Sequence, residues 1–397
     1  MTNHLQINVN FGTMILTKEY FMNNNNKEKL KLIVLQSALK MGQQVNEHLK
    51  EMYKTKDDFI VPTKEIWFND GHGKVELMNS IRGKDTYIFT DIGNYSIPYE
   101  MHGFINHTSP NDLACQLKDT IGACKCHASS LSIIMPLLYA GRQHRRISRE
   151  ALSCAKYLRE LDSDSSINRL ITFDAHDEGV QQAMFNTEFD NFFATNNILE
   201  EFIMATECDK LKNVVFVAPD FGATGRMNFY LNAFNSDYIT KDAGSFYKRR
   251  DYNTIIDGKN PIIEHSYSGD SNLKGKTAIV VDDMIASGGS MFDVITALKQ
   301  RQVAHIYVVA TYGLFTKGIN QFQQYYKEGL FDAVYTTNLS YIPDDYQKEE
   351  WLHVVDCSAY IAKIIYNLHN DLSISELLRD KSYPSKVLAK KFGDSSK

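Results

Sequence analysis

Short apolar runs alternate with amphipathic segments along most of the chain. The clearest runs with strand character lie at 87–89, 133–135, 170–173, 214–218, 278–281, 306–310 and 333–336. Apolar residues at helical spacing predict helices at 27–54, 148–161, 227–234, 290–301, 320–326 and 359–368. Strands that alternate with helices indicate βαβ units and therefore parallel sheets.

The alternation of strands and helices runs twice, with a division near an aromatic- and Asn-rich stretch at 185–200. We therefore predict an α/β protein with one domain at 27–190 and a second at 191–350. An N-terminal extension at 1–26 and a C-terminal helix with a Lys- and Ser-rich tail at 351–397 flank the two domains.

Composition narrows the class of function. The 397 residues include 43 Lys and Arg against 48 Asp and Glu, and the formal net charge is -5. Binding to nucleic acid needs a concentrated excess of basic residues, so we expect no nucleic-acid partner. The sequence has no run of about 18 apolar residues that would span a membrane. It also begins without the basic and apolar regions of a signal peptide, so we expect a cytoplasmic protein with no membrane partner.

The sharpest chemical signal is the segment 277–290. An apolar run ends in the acidic pair Asp282 and Asp283, and an amphipathic helix follows a short loop. The loop consists of small residues and ends in Ser287, Gly288, Gly289 and Ser290. Backbone N–H groups of such a loop, at a helix N-terminus, can bind a phosphate group. The competing interpretation is that the two carboxylates only cap a tight turn.

This segment resembles the phosphoribosyl-diphosphate binding loop of type I phosphoribosyltransferases and of phosphoribosyl-diphosphate synthetases, the ribose-phosphate diphosphokinases. Further segments resemble synthetase motifs in the same order along the chain: 68–74, 139–146, 174–176, 218–226 and 247–250. The resemblance covers about residues 62–378 and looks like a divergent, longer branch of that family. It implies two tandem type I phosphoribosyltransferase-like domains, each with a mainly parallel sheet flanked by helices.

The resemblance also implies a reaction. The β,γ-diphosphoryl group of ATP is transferred to the anomeric hydroxyl of ribose 5-phosphate, and AMP is released. Lys248 and Arg250 are the implied catalytic residues, in a polar stretch at 247–258 that we expect to be a mobile loop. Mg²⁺ is the implied cofactor, with His176 and Asp220 as its ligands, although a lone His after an apolar run is more often structural. The Asp282–Ser290 loop is implied to bind the ribose phosphate.

ATP is the implied co-substrate. Its implied binding residues form two groups: Arg142, Gln143 and Arg145, and Phe68, Asp70 and His72. Arginine pairs well with phosphate, and an aromatic ring offers a face for adenine. Taken alone, the first group also fits a surface basic patch, and the second fits an ordinary Asn-Asp-Gly turn. In the family the second loop serves the neighbouring subunit, so the resemblance implies a homo-oligomer, either a dimer or a hexamer.

Three residues depart from the common family pattern. His72 stands in place of a glutamate, His144 in place of an aspartate, and Ala286 in place of an aspartate in the sugar-phosphate loop. The change at Ala286 removes negative charge near the expected 5-phosphoryl group and leaves room for a larger anionic acceptor. A second hypothesis is therefore the same chemistry on ADP-ribose, as in a phage-type NAD salvage route.

Two other classes remain open. A plain phosphoribosyltransferase would share only the Asp282–Ser290 loop, and a synthetase-associated subunit would bind without catalysis. The chain retains Lys248, Arg250, His176 and Asp220 together with the acidic pair, which favours an active enzyme. The acceptor, the oligomeric state and allosteric regulation cannot be predicted from the sequence.

Overall fold

The computed structural model describes residues 27–125, 127–250, 262–270, 272–380 and 382–394. The first half of the chain contains β1 (Leu30–Val34), α1 (Leu39–Tyr53), β2 (Thr63–Trp67), β3 (Gly73–Leu77), β4 (Asp85–Phe89), β5 (Pro98–Met101), β6 (Phe104–His107), α2 (Pro110–Cys124), β7 (Ser130–Ile134), α3 (Ser153–Asp162), β8 (Arg169–Phe173) and β9 (Glu188–Phe192). The second half contains α4 (Thr195–Ala205), α5 (Cys208–Leu211), β10 (Asn213–Ala218), α6 (Thr224–Ala233), β11 (Thr240–Arg250), β12 (Ile262–Gly269), β13 (Thr277–Ile285), α7 (Gly289–Gln300), β14 (His305–Gly313), α8 (Asn320–Lys327), β15 (Ala333–Thr337), β16 (Leu352–Val355), α9 (Ser358–His369), α10 (Ser375–Arg379) and α11 (Tyr383–Asp394).

The described strands form two large sheets. The first has the order β1-β4-β7-β8-β9 and is parallel throughout. The second has the order β12-β11-β10-β13-β14-β15-β16 and is parallel except for the β11–β12 hairpin. The hairpins β2–β3 and β5–β6 form separate two-stranded sheets. Helices connect most neighbouring parallel strands, as the alternating pattern predicts, but residues 174–187, between β8 and β9, and 338–351, between β15 and β16, contain no α-helix.

Every predicted strand overlaps a strand of one of these sheets, but the helix predicted over 27–54 is wrong in its first part. Residues Leu30–Val34 form β1, and the helix begins only at Leu39. Leu30 and Leu32 belong to one apolar cluster, and Ile33 and Leu35 belong to another. A strand that is buried on both faces is apolar at every position. It therefore lacks the alternation of apolar and polar residues that distinguishes a half-exposed strand from a helix.

The two sheets share an apolar core. One cluster of buried residues joins Phe89 and Phe173 of the first sheet to Phe216, Ile279 and Val309 of the second. Separate clusters cover the opposite faces of each sheet. Burial of this shared layer holds the two halves together, since apolar contact is the main favourable term in folding.

The C-terminal helix α9 packs against α1 of the first half. His369 Nδ1 lies 2.5 Å from Asp85 Oδ2, and the Asn370 amide donates a hydrogen bond to the Tyr53 hydroxyl at 2.6 Å. The ring centroids of Tyr53 and Tyr366 are 4.9 Å apart.

No helix in the described part of the chain is long and apolar enough to cross a membrane.

A buried carboxylate joins the strand ends of the two sheets away from the shared core. Asp91, which follows β4, accepts hydrogen bonds from Ser340 Oγ at 2.9 Å and from the Tyr341 N–H at 2.7 Å. It also accepts a hydrogen bond from the Gly93 N–H at 2.9 Å. Burial raises the pKa of Asp91 to about 6, although these hydrogen bonds act in the opposite direction.

The raised pKa of Asp91 predicts a pH-dependent stability. The folded chain binds this proton more tightly than the unfolded chain, whose aspartate pKa is about 3.9. The corresponding stabilisation is complete below about pH 4 and is lost as the pH rises through the folded pKa of about 6. Urea unfolding of the wild type and of Asp91→Asn, which cannot titrate, gives a difference in unfolding free energy. We expect the wild type to lose about 2 kcal/mol relative to the variant between pH 4 and pH 7. A constant difference over this range would contradict the prediction.

Candidate active site

The C-terminal ends of β8, from the first sheet, and of β10, β13 and β14, from the second, come together between the two halves. The hydroxyl of Tyr312, in β14, lies 2.6 Å from the carbonyl oxygen of Phe173 and 2.5 Å from that of Pro136. Open α/β sheets bind ligands at the carboxyl ends of their strands. This meeting point is therefore the candidate active site.

Asp174 lies at the centre of this arrangement. It directly follows β8, is 3% exposed and has a φ of 42°, in the left-handed region. Its Oδ1 accepts hydrogen bonds from Arg226 Nε at 2.9 Å and from Arg226 Nη2 at 2.7 Å. Its Oδ2 accepts a hydrogen bond from Thr311 Oγ1 at 2.6 Å. One carboxylate thus binds α6 and β14 of the second half to β8 of the first.

Arg226 is a largely buried cation, with its side chain 13% exposed. Burial lowers the pKa of Arg226, but the charge of Asp174 and its hydrogen bonds outweigh burial, and the pKa is raised overall. The negative charges of Asp283 and Asp282 act in the same direction. The guanidinium therefore stays charged and offsets part of the negative charge of the acidic pair.

The acidic pair at the end of β13 is asymmetric. Burial and the charge of Asp283 raise the pKa of Asp282 well above its ordinary value. Burial also acts to raise the pKa of Asp283, but the hydrogen bond with His176 and the charge of Arg226 outweigh it and lower that pKa. Asp283 is therefore the carboxylate that stays ionised.

His176 connects the two halves of the site. Its Nδ1 lies 2.5 Å from Asp283 Oδ2, a bond between residues that follow or end strands of different sheets. His144 lies beside it, with the ring centroids 5.2 Å apart, and His144 Nε2 is 3.5 Å from Asp177 Oδ2. His144 and His72 both depart from the family pattern in segments predicted to bind ATP, but they lie in different places. His144 lies beside His176, whereas His72 lies in the β2–β3 hairpin.

The predicted phosphate loop adopts the expected strand–loop–helix geometry. Gly288 has a φ of 81°, and α7 begins at Gly289. A Cβ at Gly288 would lie 2.7 Å from Cε2 of Phe322 and 2.8 Å from Cε2 of Phe292. The N–H of Thr316 donates to the carbonyl oxygen of Ala286 at 2.9 Å, which fixes the loop beside the end of β14. Only glycine meets both the conformational and the steric requirement at this position.

Two cavities flank the segment 174–176. One, of about 490 Å³, is lined by Arg142, Gln143, His176 and Tyr312. The other, of about 780 Å³, lies on the side of α6 and includes Arg226. Arg145 is exposed and does not line the first cavity, so the structure brings together only two of the three basic-cluster residues predicted to bind ATP.

The second predicted group of ATP-binding residues lies elsewhere in this chain. Phe68, Asp70 and His72 occupy the turn of the β2–β3 hairpin, with Phe68 47% exposed, and none of them lines the cavity of Arg142. Hydrogen bonds from the backbone and side chain of His72 lower the pKa of Asp70. The β5–β6 hairpin supports this turn through stacking of Trp67 on Tyr99, whose ring centroids are 4.8 Å apart.

The remaining predicted residues follow β10 or lie in β11. Asp220 ends the loop after β10, and its Oδ1 accepts a hydrogen bond from the Ala223 N–H at 3.2 Å. The loop expected over 247–258 is wrong at its start, because β11 continues to Arg250 and pairs with β12, with Lys248 opposite His265. Backbone pairing of the hairpin overrides the polar composition that suggested a loop. The side chains of Lys248 and Arg250, and residues 251–261, lie outside the described residues.

Neither Arg226 nor Thr311 is among the site residues predicted from the sequence, and Asp174 has no predicted role. Arg226 does lie in the 218–226 segment that resembles a family motif. Its partner Asp174 is 52 positions earlier, and Thr311 is 137 positions after Asp174. No local pattern links residues so far apart, so the only signal in the sequence was an arginine six positions after Asp220 in that segment.

Comparison with known proteins agrees with the fold and motifs. Residues 30–163 match the N-terminal domain of ribose phosphate pyrophosphokinase, and residues 254–379 match the phosphoribosyl synthetase-associated domain. The ribose-phosphate pyrophosphokinase of Nostoc sp. is 26% identical over 314 residues, which cover 79% of this chain and 84% of that protein. That of Mycoplasmopsis pulmonis is 23% identical and covers 89% of this chain and 97% of its own.

A solved structure shares the fold. The phosphoribosylpyrophosphate synthetase of Mycobacterium smegmatis superposes with a TM-score of 0.66 at 19% identity, over 86% of this chain and 99% of that one. The expected α/β fold, with two domains built on mainly parallel sheets, is thereby confirmed.

The packing around Gly288 predicts that an added side chain lowers the unfolding free energy in two ways, through backbone strain and through steric overlap. A control variant measures the first effect alone. Gly288→Ala introduces both a strained φ and a Cβ within 2.8 Å of two phenylalanine rings. Gly275→Ala is a matched control, with a φ of 74° but no atom within 4 Å of the added Cβ. We expect unfolding free energies to fall by about 3 kcal/mol for the first variant and about 1 kcal/mol for the second. Equal losses in denaturant unfolding would mean that the phenylalanine contacts do not constrain the loop.

Proposed function

Because the chain belongs to the ribose-phosphate pyrophosphokinase family, we propose that it transfers the β,γ-diphosphoryl group of ATP to the anomeric hydroxyl of a ribose 5-phosphate group. The anomeric oxygen forms a bond to the β-phosphorus, the bond from that phosphorus to the α,β-bridging oxygen breaks, and AMP leaves with this oxygen. The hydroxyl proton is released. Such a displacement depends mainly on alignment and on neutralisation of phosphate charge.

The observation that carries this proposal is the position of His176. It lines the cavity that contains Arg142 and Gln143, and it also contacts Asp283 beside the predicted sugar-phosphate loop. A nucleotide in that cavity and a ribose phosphate at the loop would therefore meet at one point. A plain phosphoribosyltransferase has no need for the first of these two sites.

The residues around His176 fit a magnesium ion. When its Nδ1–H donates to Asp283, its Nε2 is left available to a metal, which is the usual arrangement of a metal-binding histidine. One carboxylate oxygen of Asp220 caps the following turn, and the other is available. The described residues contain no preformed group of three or more His, Cys, Asp or Glu ligands. Mg²⁺ needs only one or two protein ligands when substrate phosphates and water complete its shell. When bound, it would neutralise charge on the transferred diphosphate.

The other roles follow from chemistry and position. Arg142 would pair with ATP phosphates, and Gln143 would hydrogen-bond the nucleotide. Lys248 and Arg250, on the β11 side, would stabilise the charge that develops on the diphosphate. Asp282 and Asp283 would accept hydrogen bonds from ribose hydroxyls, and the N–H groups at the start of α7 would bind the 5-phosphate.

A direct assay tests the proposal and identifies the acceptor. We expect purified protein with ATP and Mg²⁺ to release AMP in the presence of ribose 5-phosphate, measured by chromatography, with the phosphoribosyl diphosphate identified by ³¹P NMR. Asp283→Asn should lower kcat by about 100-fold, because His176 loses its charged partner. Asp332→Asn, which removes a carboxylate that contacts His305 at the other end of β14, should retain the activity. Absence of AMP with both ribose 5-phosphate and ADP-ribose would overturn the proposal.

ADP-ribose is the second candidate acceptor, and Ala286 is the residue that favours it. In the loop beside Ser287–Ser290, an alanine leaves less negative charge and more space than an aspartate. Ala286→Asp would therefore lower kcat/KM for ADP-ribose by about tenfold or more, equivalent to about 1.4 kcal/mol, because the larger side chain takes space that the group beyond the 5-phosphate needs. The same variant should retain most activity with ribose 5-phosphate, which ends at the loop.

The β2–β3 hairpin supports a homo-oligomer. Phe68 and Asp70 are exposed and do not line the nucleotide cavity of their own chain, although their chemistry suits adenosine. We propose that they complete the nucleotide site of a neighbouring copy. This arrangement accounts for an exposed aromatic side chain that contributes nothing to its own chain's core.

Mixing variants tests the shared site. Phe68→Ala impairs only the hairpin, and Lys248→Ala impairs only the catalytic side, so each homo-oligomer should be weakly active. Co-refolded mixtures pair an intact hairpin with an intact catalytic side in a fraction of sites. We expect AMP release to rise to roughly a quarter of the wild-type rate in an equimolar mixture, from random pairing in a dimer. Activity equal to the mean of the two single variants would place both residues in the same subunit's site.

A further inference from the structure

We propose that Arg226 is a positioning residue that, with Asp174 and Thr311, clamps the acceptor half of the site in register with the nucleotide half. The nucleotide half consists of the segments after β7 and β8, and the acceptor half consists of the loops after β10 and β13. The expected effect of this clamp on turnover rests on the proposed function. The geometry of the clamp rests on the contacts alone.

The clamp joins the backbone segments that carry His176 and Asp220, the proposed magnesium ligands. Asp174 lies two positions before His176, and Arg226 lies in the first turn of α6, after the loop that carries Asp220. Thr311 lies next to Tyr312, whose hydroxyl contacts the first half a second time. Three elements from both sheets are therefore fixed relative to one carboxylate.

The contacts have a directional geometry that an apolar interface lacks. Arg226 uses both Nε and Nη2 on Asp174, at 2.9 Å and 2.7 Å. A planar guanidinium with two bonds to one carboxylate has a single favourable orientation, which lysine cannot reproduce. Asp174 also has a left-handed φ of 42°, a conformation that is uncommon outside glycine, although aspartate adopts it more readily than most residues.

The expected consequence is a loss of turnover without a loss of binding. Arg226 is occupied by Asp174, so it acts on the reaction through that residue. Each substrate is held mainly by its own half of the site, and the reaction needs the anomeric oxygen in line with the β-phosphorus. A misplacement of about 1 Å between reacting groups can cost about 100-fold in rate. Loosening the clamp should therefore lower kcat and leave both KM values nearly unchanged.

Three variants test the clamp. Arg226→Lys keeps the charge and removes the paired hydrogen bonds, and we expect kcat to fall about 30-fold with both KM values within about twofold of wild type. Thr311→Val is nearly isosteric and removes one bond to Asp174, so it should fold even if the first variant does not, with a fall in kcat of about fivefold. The matched control is Arg169→Lys, because Arg169 pairs with Asp190 and Glu188 inside the first sheet. Its kcat should stay at the wild-type value.

The outcomes separate the clamp from the proposed function. An unchanged kcat in both Arg226→Lys and Thr311→Val, or a rise in KM for ATP with unchanged kcat, would overturn the clamp and leave the activity standing. If the wild type releases no AMP with either acceptor, the proposed function fails, and amide hydrogen exchange decides on the clamp. Faster exchange at residues 173–176 and 311–314 in both variants, but not in Arg169→Lys, would support it. Unchanged exchange at these residues would reject it.

Discussion

The buried contact between Asp174, Arg226 and Thr311 is the constraint on which the site depends. The apolar core shared by the two sheets supplies most of the attraction between them, but apolar burial is non-directional and tolerates small shifts. Hydrogen bonds and ion pairs at the strand ends fix the position of one sheet relative to the other, which the apolar core alone would allow to shift. The placement of His176 against Asp283 follows from that fixed register.

The coarse fold was predictable because parallel sheets buried on both faces have continuous apolar strands between amphipathic helices. The same property explains the error at Leu30–Val34, where apolar residues serve two different cores and imitate a helical face. The β2–β3 hairpin was missed for the opposite reason. Its strand Thr63–Trp67 has no fully buried residue, so hydrophobic alternation gives almost no signal there.

The site was predictable only where its residues are adjacent in sequence. Asp282, Asp283 and the glycine-containing loop form one continuous segment, and the structure places them together at the end of β13. Arg226 and Thr311 gain their importance from a partner on another sheet, and pairing over such distances is a property of the tertiary structure. For the same reason the exposed turn of Phe68 and Asp70 cannot be assigned to a site from one chain alone.

The balance of charge in the site explains how a nearly neutral protein would bind the two phosphorylated substrates proposed for it. Asp174, Asp282 and Asp283 are countered among the described neighbours chiefly by Arg226 and His176, and burial beside Asp283 raises the pKa of Asp282. ATP and a ribose phosphate would add further negative charge at the same point. They can approach the acidic pair favourably only with accompanying cations, for which Mg²⁺ and the Lys248 and Arg250 side are the proposed sources. A globally basic surface would not meet this need, because the positive charge has to arrive at one buried strand end.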